Sequence, residues 1–453
     1  MLGSKVFSSD TLAILFAVLA ILVLRQWFRR GLPPGPRGYP LIGNLFDVPQ
    51  QFPYIAYRDL ANKYGDVVAL RIFDKTLVIL NSATAAMDLL DKRSIYADRP
   101  ASILVVMTGW IWALVFKRYG VEWRDTRRVF WQHFHPNVVG SFRPIQQHEA
   151  RQLLRRLHKA PKGDDIETEF KMSLLAITLT AAQGLPEQDI THTWVDILTE
   201  SAAIFSEISR PGKYLVESFP WLKSIPLWFP GTGWQRDVLK WQKPVFAVRD
   251  QPFSLAKEAM TRGDARPSML SQIFEKGVMS DADPNRAEVA IKSATSSVIT
   301  AGVDTGTATL VGFFCAMLMY PEVQKRAQDE LDLVIGPGRL PVHEDRASLP
   351  YISAMVKESL RWHNVLPLGI AHRNMEEDEY RGWRIPKGTM VLTNVWSILH
   401  DPATYPEPDV FRPERFLEDE ANGTGPILDP GSIAFGFGRR LVADQPLSIR
   451  RRG

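Results

Sequence analysis

The chain has one cysteine in 453 residues, Cys315. A single thiol forms no intramolecular disulfide, which excludes the small cross-linked secreted folds and suits a reducing compartment. It stands in the apolar run LVGFFCAMLMY, where the expectation is a buried, inert thiol rather than a nucleophile. Surplus charge is lacking too. Between Arg439 and Gly453, five arginines and one aspartate account for the whole net charge of +4, so residues 1–438 sum to zero. The body therefore offers no basic excess for nucleic acid. Internal repeats and long low-complexity tracts are also missing. What remains is an ordinary globular composition, 45% hydrophobic and 23% charged, in a chain longer than a usual single domain.

The front of the chain is different. Thr11 to Leu24 carries no charge, and with Trp27 and Phe28 it approaches the roughly 17–20 residues of a spanning helix. Arg25, Arg29, Arg30 and Arg37 follow it, against Lys5 before it, which places the remainder in the cytoplasm. No small-x-small cleavage site follows Leu24, so residues 1–30 are expected to be an anchor rather than a cleaved signal. The stretch LPPGPRGYPLIGN, Leu32 to Asn44, has four prolines that cannot continue a helix. It is expected to form a stiff hinge over residues 31–45, ahead of a folded body over 46–453.

Helical signals dominate the body, as in PYIAYRDLANKYG, Ser82 to Arg93, EARQLLRRLHK and YPEVQKRAQDELDLVIG. Strand signals are short: VVALRIF, KTLVIL and MVLTNVWSI. The fold class is mainly α with small β-sheets. Nothing forbids helix from Glu288 to about Tyr320, roughly 50 Å at 1.5 Å per residue. Asp304 lies inside it, and an unpaired acid is expensive at membrane depth, so a core helix is expected rather than a second span.

Three stretches carry chemistry. In AGVDTGTAT, Ala301 and Gly302 are small enough for a flat ligand to approach the backbone, and Asp304 sets an acid beside the alcohol of Thr305, a pair able to relay protons. In KESLRWHNVLP, Glu358 and Arg361 are three apart on one helical face. Arg415, 54 residues later, offers a second guanidinium, so that one carboxylate between two arginines locks a helix to a later loop. In FGFGRR, Gly436 and Gly438 permit a tight turn with inward N–H groups.

This ordered set, from the anchor and LPPGP to Arg440, resembles the cytochrome P-450 family of haem-thiolate monooxygenases, and looks most like its microsomal, membrane-anchored fungal members. The resemblance implies a cytochrome P-450 fold preceded by one transmembrane helix. It implies that Trp123 and Arg127 of WRDTR hold a haem propionate, with His372 or Arg373 of AHRN near the second. Asp304 and Thr305 match the proton relay, where Gly306 replaces a frequent second threonine at little expected consequence. Glu358, Arg361 and Arg415 match a structural triad, and Phe435, Gly438 and Arg440 the haem-binding loop. Haem b, electrons from NADPH through a cytochrome reductase, O2 and a lipophilic small molecule of secondary metabolism are the implied cofactors and partners. The implied place is the endoplasmic reticulum membrane, single-pass, with the main domain cytoplasmic.

The family's loop reads Phe-x-x-Gly-x-Arg-x-Cys-x-Gly. Here its cysteine position is Val442 and its last glycine is Asp444, so no residue at that place ligates a metal. The expectation is a fold lacking its C-terminal part. The alternative to monooxygenase activity is a truncated or mis-spliced product that cannot ligate haem iron.

Overall fold

The computed structural model describes residues 31–135, 137–159, 165–210, 212–277, 283–417 and 427–440. The expected anchor and Val442 lie outside the described residues. The chain divides into two compact units, and each is described by itself.

The first unit comprises residues 31–100 and 370–394. Helix α1 (Pro53–Tyr64) starts on a proline whose missing N–H is unused in a first turn. The sheet order is β1 (Val67–Ile72), β2 (Lys75–Leu80), β6 (Met390–Thr393) and β3 (His372–Arg373). Strands β1 and β2 form an antiparallel hairpin with Val67 opposite Leu80, and β2 runs parallel to β6. Strands β4 (Asp378–Tyr380) and β5 (Trp383–Ile385) form a separate hairpin. Val67, Val68, Leu70 and the run Val78–Leu80 are buried, which explains why both strands read as continuous apolar runs. The proline-rich stretch lies along β1: Ala69 N–H donates to the Pro34 carbonyl at 2.9 Å, and a Cβ at Gly35 would sit 2.0 Å from the Ala69 carbonyl oxygen. Strand β6 is shorter than MVLTNVWSI suggested. Asn394 leaves the ladder to bond the Tyr54 carbonyl and Asn81 Oδ1, each at 2.8 Å, and Val395–Leu399 is helical.

The second unit comprises residues 101–369 and 395–440 of the described chain. Its longer helices are α2 (Val121–Phe134), α3 (Arg143–Lys159), α4 (Ile166–Gln183), α5 (His192–Ile208), α6 (Gly233–Arg262), α7 (Met269–Lys276), α8 (Pro284–Met319), α9 (Pro321–Val334) and α10 (Pro350–Trp362). Helix α8 begins one turn earlier than Glu288 because Pro284 occupies its first position and Asp283 caps the Arg286 N–H at 3.0 Å. It is long and apolar enough to cross a membrane, yet it packs against α2, α4, α6 and α7, as a core helix does. Leu175, Leu179, Val245, Ile299 and Val303 form the middle of that core. Helix α6 keeps its course through Pro244 and Pro252, both buried, a continuity that proline-based boundary signals do not suggest.

Cys315 corrects the reading of a buried thiol: it is exposed. Gly312, Ala316 and Met317 take the core side of α8, while Cys315 shares the outer side with Leu318, 83% exposed. A run that is apolar all round carries no phase, so sequence alone did not say which side of the helix the thiol occupies.

Candidate functional site

The site grows from the central turns of α8. Thr305 Oγ1 donates to the Ala301 carbonyl at 2.6 Å, the back-bond open to a helical threonine. Ala301 is exposed and Thr305 half-buried, one turn apart on the same face. Burial pushes the Asp304 carboxyl above the usual aspartate range; Lys171 on α4 opposes the rise and Glu167 adds to it. Those two residues form their own ion pair at 2.8 Å. The glycines of this stretch serve helix packing. A Cβ at Gly302 would lie 2.9 Å from Thr178 Cγ2, and one at Gly306 would lie 2.8 Å from Leu174 Cδ1, both on α4. So Gly302 admits a neighbouring helix, where the sequence suggested a flat ligand, and a threonine at 306 would press on Leu174.

A second group forms around Arg440. Gly436 (φ +89°) and Gly438 (φ +58°) both adopt the left-handed backbone that a side chain resists, which turns the chain tightly after the short helix Gly431–Ala434. Phe437 is buried, Phe435 half-buried, and Gly438–Arg440 forms a single 3₁₀ turn. Arg440 is buried. Its Nη2 donates to the Lys117 carbonyl at 2.8 Å and its Nη1 to the Leu114 carbonyl at 3.3 Å. Its guanidinium carbon lies 4.6 Å from the ring centroid of Trp123, within cation–π range. The Leu114 N–H in turn donates to Ser297 Oγ of α8 at 3.0 Å. Segment 114–117 thus ties α8 to the glycine loop. Sequence reasoning missed that tie, because its acceptors are backbone carbonyls, which leave no mark in residue types. Arg127, one turn beyond Trp123 on α2, lies 5.6 Å from the rings of both Phe130 and Trp131.

The third group is fully buried. Arg361 Nε and Nη2 grip the Glu358 carboxylate at 2.7 and 2.8 Å, a bidentate pair on α10. Arg415 Nε reaches Glu358 Oε1 at 3.2 Å, and the Arg412 N–H reaches the same oxygen at 2.8 Å. The remaining guanidinium N–H groups bond the carbonyls of Leu399, Pro406, Glu407, Pro408 and Val410. The carboxylate thus sits between two arginines, and the 406–410 turn closes around all three.

His372 and Arg373 belong to the first unit. His372 is buried with Nδ1 2.9 Å from the Tyr96 carbonyl, and Arg373 faces Asp98 at 3.6 Å. Beside them is a residue that no sequence motif singles out. Buried Arg99 donates from Nη1 to the carbonyls of Ile370 and Ala371 at 2.7 and 2.8 Å, fixing the approach to β3.

A small-residue helix with an acid–alcohol pair, a glycine loop presenting a buried arginine and a Glu–Arg–Arg lock thus stand together in a mainly helical unit. The sequence model of the family described as Cytochrome P450 matches residues 33–441. Cytochrome P450 monooxygenase COX1 of Coprinopsis cinerea is 37% identical over 449 residues, 97% of this chain and 86% of that protein. Cytochrome P450 monooxygenase 208 of Postia placenta is 39% identical over 447 residues, 96% and 86% of the two chains. The tryptamine 4-monooxygenase of Psilocybe cyanescens is 37% identical over 422 residues, 92% and 82%. The chain belongs to the cytochrome P450 family.

Proposed function

We propose that the protein is built as a haem-dependent monooxygenase for a lipophilic small molecule of secondary metabolism, fed with NADPH electrons through a cytochrome reductase at the endoplasmic reticulum membrane. The observation that carries this reading is the buried guanidinium of Arg440, held by two carbonyls against Trp123. A porphyrin bears carboxylates, and an oriented arginine takes a carboxylate through charge-assisted hydrogen bonds. Trp123 and Arg127 are proposed to serve the same carboxylate, and His372 or Arg373 the second. Haem, when bound, supplies the activation of O2 that no side chain supplies. The chain's own contribution is proton handling. The Asp304 carboxyl, its pKa raised by burial, holds a proton further up the pH scale than a free aspartate. Thr305 Oγ1, with its proton committed to the Ala301 carbonyl, offers lone pairs to the next donor.

The iron-ligand position does not fit. Val442 has no lone pair to give a metal, and Cys315 lies ten residues past Thr305 on α8, about 15 Å along its axis. These 453 residues do not supply the thiolate that oxygen insertion needs. Val442 therefore favours a second reading for this chain, a porphyrin-holding but catalytically inactive product. Two measurements test the pair of readings. Protoporphyrin IX, which needs no axial ligand, should quench tryptophan fluorescence, and Arg440→Ala should weaken its binding about tenfold, the loss of one hydrogen bond to a charged group. Absence of quenching removes the haem reading. The reduced protein under CO should show no thiolate-type Soret band, and a band in the unaltered chain removes the inactive reading.

A further inference from the structure

Ahead of α2 the chain sets two indoles in one turn. Gly109 takes φ +90° and opens the single 3₁₀ turn Trp110–Trp112, which follows the short helix Ile103–Met107. The two rings stack at 5.6 Å with 23° between their planes. Trp110 meets Phe116 and, on α5, Phe205 at steep angles, each at 6.1 Å, and those two phenyl rings lie 4.9 Å apart.

Both indoles are buried, Trp110 at 4% exposure and Trp112 at 3%, and among the described residues neither Nε1 has a hydrogen-bond partner. Other indoles of this chain keep theirs. Trp194 Nε1 donates to the Asp189 carbonyl at 3.2 Å, and Trp362 Nε1 to the Asp409 carbonyl at 2.8 Å. A buried donor without an acceptor gives up its bond to water and gains none in return. An N–H aimed at a ring face recovers only part of that loss. The free protein carries the cost at two adjacent donors, and an oxygen placed between them removes it.

The turn is fixed from several sides. Gln242 Nε2 of α6 donates to the Met107 carbonyl at 2.8 Å, and a Cβ at Gly109 would lie 2.6 Å from Phe246 Cζ of the same helix. Just downstream, the Leu114 N–H is bonded to Ser297 Oγ of α8, one turn before Ala301, and Arg440 closes on the Leu114 and Lys117 carbonyls. The indoles thus directly precede the backbone that ties α8 to the glycine loop. Phe116, Phe205 and Phe246 are only half-buried, so the ring cluster is not sealed.

The donor set selects the ligand. An indole N–H donates and cannot accept, so the ligand must bring the acceptor. The surrounding rings are apolar. A carboxylate among them would exchange its hydration for two neutral donors, and an ammonium would meet those donors with hydrogens of its own. A neutral carbonyl oxygen, as in a ketone, ester or lactone on a flat lipophilic skeleton, fits both the donors and the rings.

We propose that Trp110 and Trp112 are specificity-determining residues whose indole N–H groups bind a neutral carbonyl oxygen of the small molecule. That this molecule is the substrate rests on the monooxygenase reading; the binding itself does not.

The test uses the full chain in detergent and two ligands of one shape, 2-acetylnaphthalene and 2-ethylnaphthalene, which differ by a carbonyl in place of a methylene. Equilibrium dialysis should find the ketone bound about tenfold more tightly, the effect of one net hydrogen bond. The double variant Trp110→Phe, Trp112→Phe keeps a ring at each position and removes both donors. It should bring the ratio to about one while 2-ethylnaphthalene binds as before, which also reports that the ring cluster survives. Ultraviolet resonance Raman on the unaltered chain needs no variant: the indole N–H marker band should move to its hydrogen-bonded position with the ketone and stay in place with the ethyl compound. Equal affinity for the two ligands, a band that does not move at saturating ketone, or a ketone preference that persists in the double variant overturns the proposal. Protoporphyrin quenching on the same samples separates the two readings. Quenching without ketone preference leaves the haem reading standing and removes this one, and ketone preference without quenching does the reverse.

Discussion

The guanidinium of Arg440 lies against the indole of Trp123, 4.6 Å from ring centroid to carbon, 317 residues apart in sequence. The same guanidinium closes the backbone of segment 114–117, so its removal should be felt as stability as well as binding. Arg440→Ala is expected to lower unfolding stability by about 1.5–3 kcal/mol, the range for hydrogen bonds to a charged group. Arg440→Lys should recover only part of it, because an ammonium cannot fork to two carbonyls as a guanidinium does. Urea unfolding followed by tryptophan fluorescence measures both.

Glu358 sets one carboxylate against two fully buried arginines, Arg361 and Arg415. Glu358→Gln keeps the shape and removes the charge. Breaking a buried pair in this way costs about 3–5 kcal/mol, since the cations are left uncompensated. The same denaturation experiment should place this variant well below Arg440→Ala, and equal stability with the unaltered chain would contradict a charged lock.

Asp304 predicts a pH dependence. Burial raises its folded pKa above the unfolded value. Its contribution is therefore fully present below the ordinary aspartate pKa and is lost as pH rises through the folded value. Asp304→Asn should remove that slope. The variant should match the unaltered chain in acid and melt higher at neutral pH, a difference that paired thermal melts across the two conditions would reveal.

The exposed thiol of Cys315 should titrate with a thiol-specific reagent in the native protein, as fast as a thiol on an unfolded chain to within about tenfold. Native protection followed by reaction only in denaturant would return Cys315 to the core.

Much of this is legible in the sequence. The long helix through Asp304 followed from an unbroken helical pattern, and its membership of a core followed from one acid. Strands β1 and β2 were visible as two apolar runs, while their antiparallel pairing came from the structure. The glycines of FGFGRR anticipated positive φ, since residue type alone grants that freedom. Other features were hidden for physical reasons. The Leu114 and Lys117 carbonyls that hold Arg440, like the Ile370 and Ala371 carbonyls that hold Arg99, belong to every residue and so to no motif. Gly302 and Gly306 were conspicuous as small residues, but whether a ligand or a helix fills the space beside them depends on where α4 runs.

The sequence by itself determined the family, the mainly helical class, the order of the motifs and the valine at 442, because each of these is a matter of which residue stands where. Only the tertiary structure decided that Arg415 meets Glu358 across 57 positions, that Cys315 faces outward and that Trp221 and Trp228 stand clear of the core. Those outcomes depend on helix phase and on which segments pack together, and apolar residues drive burial without saying against what.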